Sequence, residues 1–210
     1  SGFSSPPQFS ASSLLSYALK PRWALDYLLR EKFRLPNLDT HVDQGTTKAM
    51  SVQSYFTEML DPTLDWAKAA EIRAQWGGTF VLKGVMSVAD ARRAIEIGAD
   101  AIMVSNHGGR QLDGSRAPFD QLTEIVDAVG GQIEIICDGG IRRGTHVLKS
   151  LAAGANCASG GRLYLYALAA AGQAGVERAL GLMQDEIARG MKLMGVNRLD
   201  QLNRERLRWR

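Results

Sequence analysis

Gly98-Ala99-Asp100-Ala101-Ile102-Met103-Val104-Ser105-Asn106-His107-Gly108-Gly109-Arg110 reads as an apolar strand running into a glycine-rich turn that carries a histidine and an arginine. Ala101 to Ser105 lacks the alternation of a half-exposed strand, as expected where both faces of a parallel sheet are covered. The same rhythm extends both ways. Upstream, Trp66 to Gln75 predicts a helix ended by Gly77-Gly78, and Thr79-Phe80-Val81-Leu82-Lys83 a strand. Ser87 followed by Asp90 is close to a capping box, and that helix runs to Ile97 and stops at Gly98. Downstream, Pro118 opens a helix ending near Val129. Ile133 to Cys137 is a strand, Thr145 to Ala153 a helix and Asn156 to Ser159 a strand; Tyr164 to Ala171 and Gly175 to Met194 are two further helices. Gly98-Ala99-Asp100 and Gly154-Ala155-Asn156 form a weak repeat, each ahead of a strand. Strands alternating with helices predict an α/β fold with a parallel sheet and right-handed crossovers. The chemistry-bearing residues fall just past strand ends, where barrel enzymes place their sites.

The chain has 210 residues, 45% hydrophobic and 22% charged, an ordinary globular composition with enough apolar material for one core. Its net charge of +3 is too small to point to nucleic acid, and much of the excess lies in Arg204-Glu205-Arg206-Leu207-Arg208-Trp209-Arg210, read as a solvated terminus. Cys137 and Cys157 lie in strand-like runs and read as buried free thiols, which suits a reducing, cytoplasmic compartment. No signal peptide is visible, and the most apolar stretch, Leu151 to Ala171, carries Asn156 and Arg162. The first residue is Ser1, so a piece of a longer chain is expected. Residues 1–65 differ from 66–210: they hold five of the six prolines and two short helices, Leu14 to Leu19 and Trp23 to Leu29, broken by Pro21. Lys20, Arg22 and Trp23 fit a helix on a domain surface in preference to a peripheral membrane contact. Asn37 to Ser51 is polar and reads as a mobile loop.

The turn after Ser105 carries the strongest chemistry. His107 can take a proton near neutral pH, and Arg110 offers a rigid fork to a carboxylate. The glycines let a flat ligand approach the backbone. Such a site holds a small carboxylic acid and removes a proton from it. Lys83, ahead of Gly84, either points into the mouth of a barrel or is a solvated strand end. Asp138-Gly139-Gly140-Ile141-Arg142-Arg143-Gly144 opens a helix, as does Gly161-Arg162; helix N-termini with arginines suit a phosphate. His41 and His146 read as non-catalytic, His146 facing solvent or the flank of the phosphate loop. No metal-ligand spacing, nucleophile elbow or dinucleotide fingerprint occurs. From these residues alone, two rivals stay open. One is another phosphate-binding barrel enzyme, an isomerase or aldolase. The other is a non-catalytic half-barrel that binds an anion or self-associates.

Together these motifs resemble the FMN-dependent 2-hydroxy acid oxidising family, which includes L-lactate dehydrogenases, glycolate oxidases and mandelate dehydrogenases. Ser105 to Asp113 matches its signature; Val81-Leu82-Lys83-Gly84, Asp138 to Gly144 and Gly161-Arg162 match its other C-terminal motifs in order. The resemblance runs from about Gly2 to Leu202. Pro21-Arg22-Trp23 and Asn37-Leu38 look closest to the bacterial L-lactate dehydrogenase branch. It implies an FMN-binding (β/α)8 TIM barrel, of which this chain carries the C-terminal half as four βα units. It implies oxidation of an L-2-hydroxy acid, L-lactate to pyruvate, with electrons passed to FMN.

Lys83 would sit by the flavin N1 and adjacent carbonyl, where reduction gathers negative charge. Ser105 would contact the ring, and His107 would be the general base and a neighbour of the flavin. Arg110 would clamp the substrate carboxylate. Asp138 would bind the ribityl chain. Gly139, Gly140, Ile141 and Gly161, with Arg142 and Arg162, would hold the phosphate end. No metal is implied.

Two departures carry expectations. Four strands against a full barrel of about 250 residues imply a missing N-terminal half as partner, through a fragment or a split enzyme, and open edges invite a homo-oligomer. Gly160 stands where family members have a bulky apolar residue, which predicts a looser strand. The expected location is cytoplasmic, with a peripheral contact at the inner membrane as the variant.

Overall fold

The computed structural model describes residues 10–29 and 61–208; Asn37 to Ser51 and His41 lie outside the described residues. The chain divides into two compact units, Ser1–Thr63 and Leu64–Arg210. In the first, α1 (Ala11–Ala18) and α2 (Pro21–Leu29) are separated at Lys20. Pro21 opens α2, where its missing N–H costs nothing. The rings of Tyr17 and Trp23 stack across the join, centroids 5.2 Å apart. Leu14, Leu15, Leu19, Trp23, Leu25, Leu28 and Leu29 are exposed on this pair.

The second unit contains α3 (Trp66–Trp76), β1 (Val81–Lys83), α4 (Val88–Glu96), β2 (Ala101–Ser105), α5 (Pro118–Val129), β3 (Glu134–Asp138), α6 (Gly144–Ala152), β4 (Cys157–Ser159) and α7 (Arg162–Leu193), then two 3-10 turns, Leu199–Gln201 and Arg204–Arg206. Asp65 caps α3 by accepting from the Lys68 N–H, and Gly77 ends it with φ +67°. The Ser87 hydroxyl accepts from the Asp90 N–H at 3.0 Å and fixes the start of α4. The four strands are parallel in the order β1-β2-β3-β4, each beside its chain neighbour.

The core lies between β2, β3 and the helices. Ile102, Val104, Ile135 and Cys137 meet Leu122, Ile125 and Val129, which recur at helical spacing along α5. Burying each large aliphatic side chain contributes roughly 1.5–3 kcal/mol. The repeat has a structural cause. Asp100 accepts from the Phe80 N–H at 2.7 Å, and Asn156 accepts from the Ile135 N–H at 2.8 Å. Each ties the entry of one strand to the entry of the strand before it.

The helices expected at Tyr164 to Ala171 and Gly175 to Met194 are both present: Arg162–Leu193 is two helices that meet at a break, where Ala171 and Gly172 leave helical geometry. Two expectations are corrected. Cys157 is exposed while Cys137 is buried, because β4 pairs on one side only among the described residues. The tail is not a free solvated end. Arg204 reaches the Asp127 carboxylate and donates to the Thr123 and Ala153 carbonyls, and Arg206 donates to the Gln201 and Met194 carbonyls. These bonds hold Leu202 in a small second cluster with Leu148, Ala152 and Val196.

Candidate active site

The C-terminal ends of the four strands form one rim, and strand register decides what meets there. Ser105 pairs with Asp138, and Asp138 with Ser159. These three short polar side chains form a row across the sheet. Lys83 pairs with Met103, two residues short of that row, and its long stem carries the ammonium to it. Lys83 Nζ makes a close ion pair with the Asp138 carboxylate and lies 3.3 Å from the Ser105 hydroxyl. Ser105 donates to the same carboxylate oxygen at 2.6 Å. Burial pushes the Asp138 carboxyl up. The hydrogen bonds from Lys83 and Ser105, the Lys83 charge and the Ser159 hydroxyl outweigh it and hold the group below the usual carboxylate range. Behind the row, burial pushes the Cys137 thiol up, opposed by a Ser150 hydrogen bond and assisted by the Asp138 charge.

From Ser105 the chain turns sharply. The His107 N–H donates to the Ser105 hydroxyl at 3.2 Å, the Gly108 N–H to the Asn106 side chain at 3.0 Å, and the Gly109 N–H to the Asn106 carbonyl at 3.0 Å. His107 sits at φ +57°, a conformation non-glycine residues rarely take. Its Cε1 edge lies against Gly84, where an added Cβ would stand 2.8 Å from it. Arg110 follows three residues later, exposed. Both line a cavity of about 620 Å³, with Lys83, Asp138, Arg142 and Arg162 among its other walls, a size suited to a small-molecule site.

Two arginines, Arg142 and Arg162, line the same cavity with Gly139, Gly140, Ile141 and Gly161. Gly139 has φ +146°, and an added Cβ would meet Pro118 at 2.7 Å, so the loop is a cradle only glycine fits. At the start of α6, Glu186 accepts from the Gly144 N–H and from Arg143 Nε, both at 2.7 Å, so one N-terminal donor of that helix is satisfied from within the protein. The start of α7, at Gly161 and Arg162, carries no side-chain cap and lines the cavity. Its N–H groups and helix dipole suit an anion. Gly160 leaves no void: the Tyr164 ring fills the place, 3.3 Å from where a Cβ would stand.

The residues expected at the site thus come together: Lys83, Ser105 and Asp138 in one bonded cluster, His107 and Arg110 on one turn, and Gly139, Gly140, Ile141, Arg142, Gly161 and Arg162 at the anion end. Two other residues, Ser159 and Glu186, went unread. Ser159 could have been found from its strand-end position. His146, expected to face solvent or the flank of the phosphate loop, takes the second place, with Nδ1 3.0 Å from the Gly140 carbonyl and 3.2 Å from the Arg142 N–H. Glu186 acts from more than 40 residues away, where no local signal exists. Among the described residues no cluster of three metal-ligating side chains occurs. The donor set, two arginines with an uncapped helix start and a glycine cradle, fits the phosphate end of a flavin mononucleotide. The Lys83 ammonium fits a group that gathers negative charge.

The family model of FMN-dependent dehydrogenase matches residues 1–209. An L-lactate dehydrogenase of Alcaligenes faecalis is 42% identical over 99% of this chain and 54% of its own length. A putative L-lactate dehydrogenase of Mycobacterium tuberculosis is 39% identical over 96% of this chain and 47% of its own. Among solved structures, the monotopic membrane protein (S)-mandelate dehydrogenase superposes with a TM-score of 0.87 at 33% identity, over 97% of this chain and 53% of its own. The flavin-binding domain of baker's yeast flavocytochrome b2 superposes with 0.68 at 40% identity, over 70% and 38%. The chain spans about half the length of the curated relatives it matches. Its parallel sheet and flanking helices form part of a (β/α)8 FMN-binding barrel.

Proposed function

From the premise that this chain belongs to the FMN-dependent dehydrogenase family, we propose that its site oxidises a small L-2-hydroxy acid, L-lactate to pyruvate. The rest of the barrel wall would come from the relatives' other half, on the same polypeptide or a separate one. One observation carries the reading: His107 and Arg110 stand on a single turn and line one cavity together with Lys83, Arg142 and Arg162. The Arg110 fork binds the substrate carboxylate and sets its C2 centre toward the histidine. His107 takes a proton at a ring nitrogen as the hydroxy acid becomes the keto acid. The two electrons and the remaining proton of this oxidation would go to FMN, which supplies the acceptor when bound. Lys83 stabilises the negative charge that develops at its end of the cavity, while Asp138 and Ser105 hold the ammonium in place. Arg142, Arg162, Gly161 and the start of α7 hold the phosphate.

The assay is anaerobic flavin bleaching with L-lactate, D-lactate, glycolate and L-mandelate. L-Lactate bleaching fastest supports the substrate assignment; L-mandelate or glycolate bleaching faster overturns it.

A second reading concerns the first unit. The exposed leucines of α1 and α2, with Trp23 beside Lys20 and Arg22, favour a peripheral contact with an anionic membrane surface. Among the described residues no helix is long and apolar enough to cross a membrane. Sedimentation with phosphatidylglycerol vesicles that is lost on Trp23→Ser with Leu28→Ser supports it; equal sedimentation of parent and variant refutes it.

A further inference from the structure

One contact joins two of the residues that line the cavity. Arg162 Nη2 donates to the Gly108 carbonyl at 2.8 Å, joining residues 54 apart in sequence. Arg162 is the first residue of α7, at the anion end. Gly108 directly follows His107, in the turn closed by the His107, Gly108 and Gly109 N–H bonds. The fit is close from both sides: Gly108 has φ +70°, and a Cβ there would collide with Arg162 Nη2. Arg162 Nε and Nη1 make no other hydrogen bond among the described residues, so the guanidinium can grip Gly108 and an anion at once. Arg142, lining the same cavity, has no such bond from its side chain.

We propose that Arg162 is a positioning residue for the histidine turn, a latch through which an anion at the start of α7 and the placement of His107 stabilise each other. The roles of the two ends rest on the function proposed above; the latch is tested without flavin or turnover.

The experiment is amide hydrogen exchange of the full chain, comparing the parent with Arg162→Ala and Arg142→Ala. The expected result is faster exchange at His107, Gly108 and Gly109 in Arg162→Ala. The expected rise is roughly ten- to a hundredfold, the range for losing a hydrogen bond from a charged donor. In Arg142→Ala those amides keep the parent rate. The Ile102 and Ile135 amides, in the core strands, report that each variant stays folded.

The reciprocal arm uses Gly108→Ala, which removes no cation, with inorganic phosphate as the probe. Linkage requires its binding to weaken, by roughly fivefold or more for a typical coupling. Equal exchange in the two arginine variants, an unprotected turn in the parent, or phosphate binding unchanged by Gly108→Ala would overturn the latch. These outcomes are independent of whether L-lactate bleaches flavin, so a failure here and a failure of the oxidation reading are told apart.

Discussion

Gly84→Ala is the sharpest single perturbation of the catalytic geometry. Gly84 has φ +95°, and the new Cβ would lie 2.8 Å from His107 Cε1. A left-handed backbone costs an L residue about 1–2 kcal/mol. Carbon atoms rest about 3.5–4.0 Å apart, so the ring must retreat by about 1 Å. The ring is exposed and turns about its side-chain torsions, so it yields in place of the backbone, which φ +57° and the N–H bond to Ser105 hold. A misplacement of about 1 Å costs a catalytic group on the order of a hundredfold in rate. The variant is therefore expected to be destabilised by about 1–3 kcal/mol while flavin reduction falls about a hundredfold and FMN affinity holds. The assays are thermal unfolding, anaerobic bleaching and the NMR signal of the His107 Cε1 proton, which reports ring placement without turnover. Parent-like bleaching with an unshifted Cε1 proton would refute the claim that Gly84 sets the position of His107.

His107→Ala should abolish substrate-driven bleaching and leave FMN binding intact; a variant with parental rate would remove the histidine from its role as base. Asp138 is held below its unfolded value, near 3.9 for an aspartate, so its charge stabilises the fold above that pH and the benefit is lost as pH falls through the lower folded value. The stability gap between parent and Asp138→Asn should thus be full near neutral pH and close at low pH, followed by urea unfolding; a gap independent of pH contradicts the assignment. Cys157 is exposed and Cys137 buried with its thiol pushed up, so a disulfide reagent at neutral pH should titrate one thiol in the native chain and a second only on unfolding. Rapid labelling of both in the native state would contradict the packing of β3.

What the sequence made legible follows from the range of each interaction. β2 and α5 fall where expected because their signals are local: an uninterrupted apolar run, and a proline at the first helical position. β3 starts one residue later, at Glu134, and ends on Asp138. A charged strand start and a carboxylate strand end hide inside a parallel sheet, since register with Ala101 and Ser105 decides them. The break at Ala171 and Gly172 falls where the glycine-containing gap between the two expected helices placed it. At the site, the glycine-rich turns and arginines were visible because their residue types are scarce in such spacing. That Glu186 takes the Gly144 N–H at the start of α6 is a contact made by the tertiary fold. The choice between solvent and the loop flank for His146 needed the fold for a related reason: its bond to the Gly140 carbonyl needs the loop already folded against the first turn of α6.

The most direct measurement is an FMN titration of this chain, alone and with the N-terminal half of a relative, followed by flavin absorbance and then by L-lactate without oxygen. Saturable FMN binding is expected, with bleaching of the bound flavin once the barrel wall is complete. No FMN binding in either preparation, or bound FMN that L-lactate leaves oxidised, would contradict it.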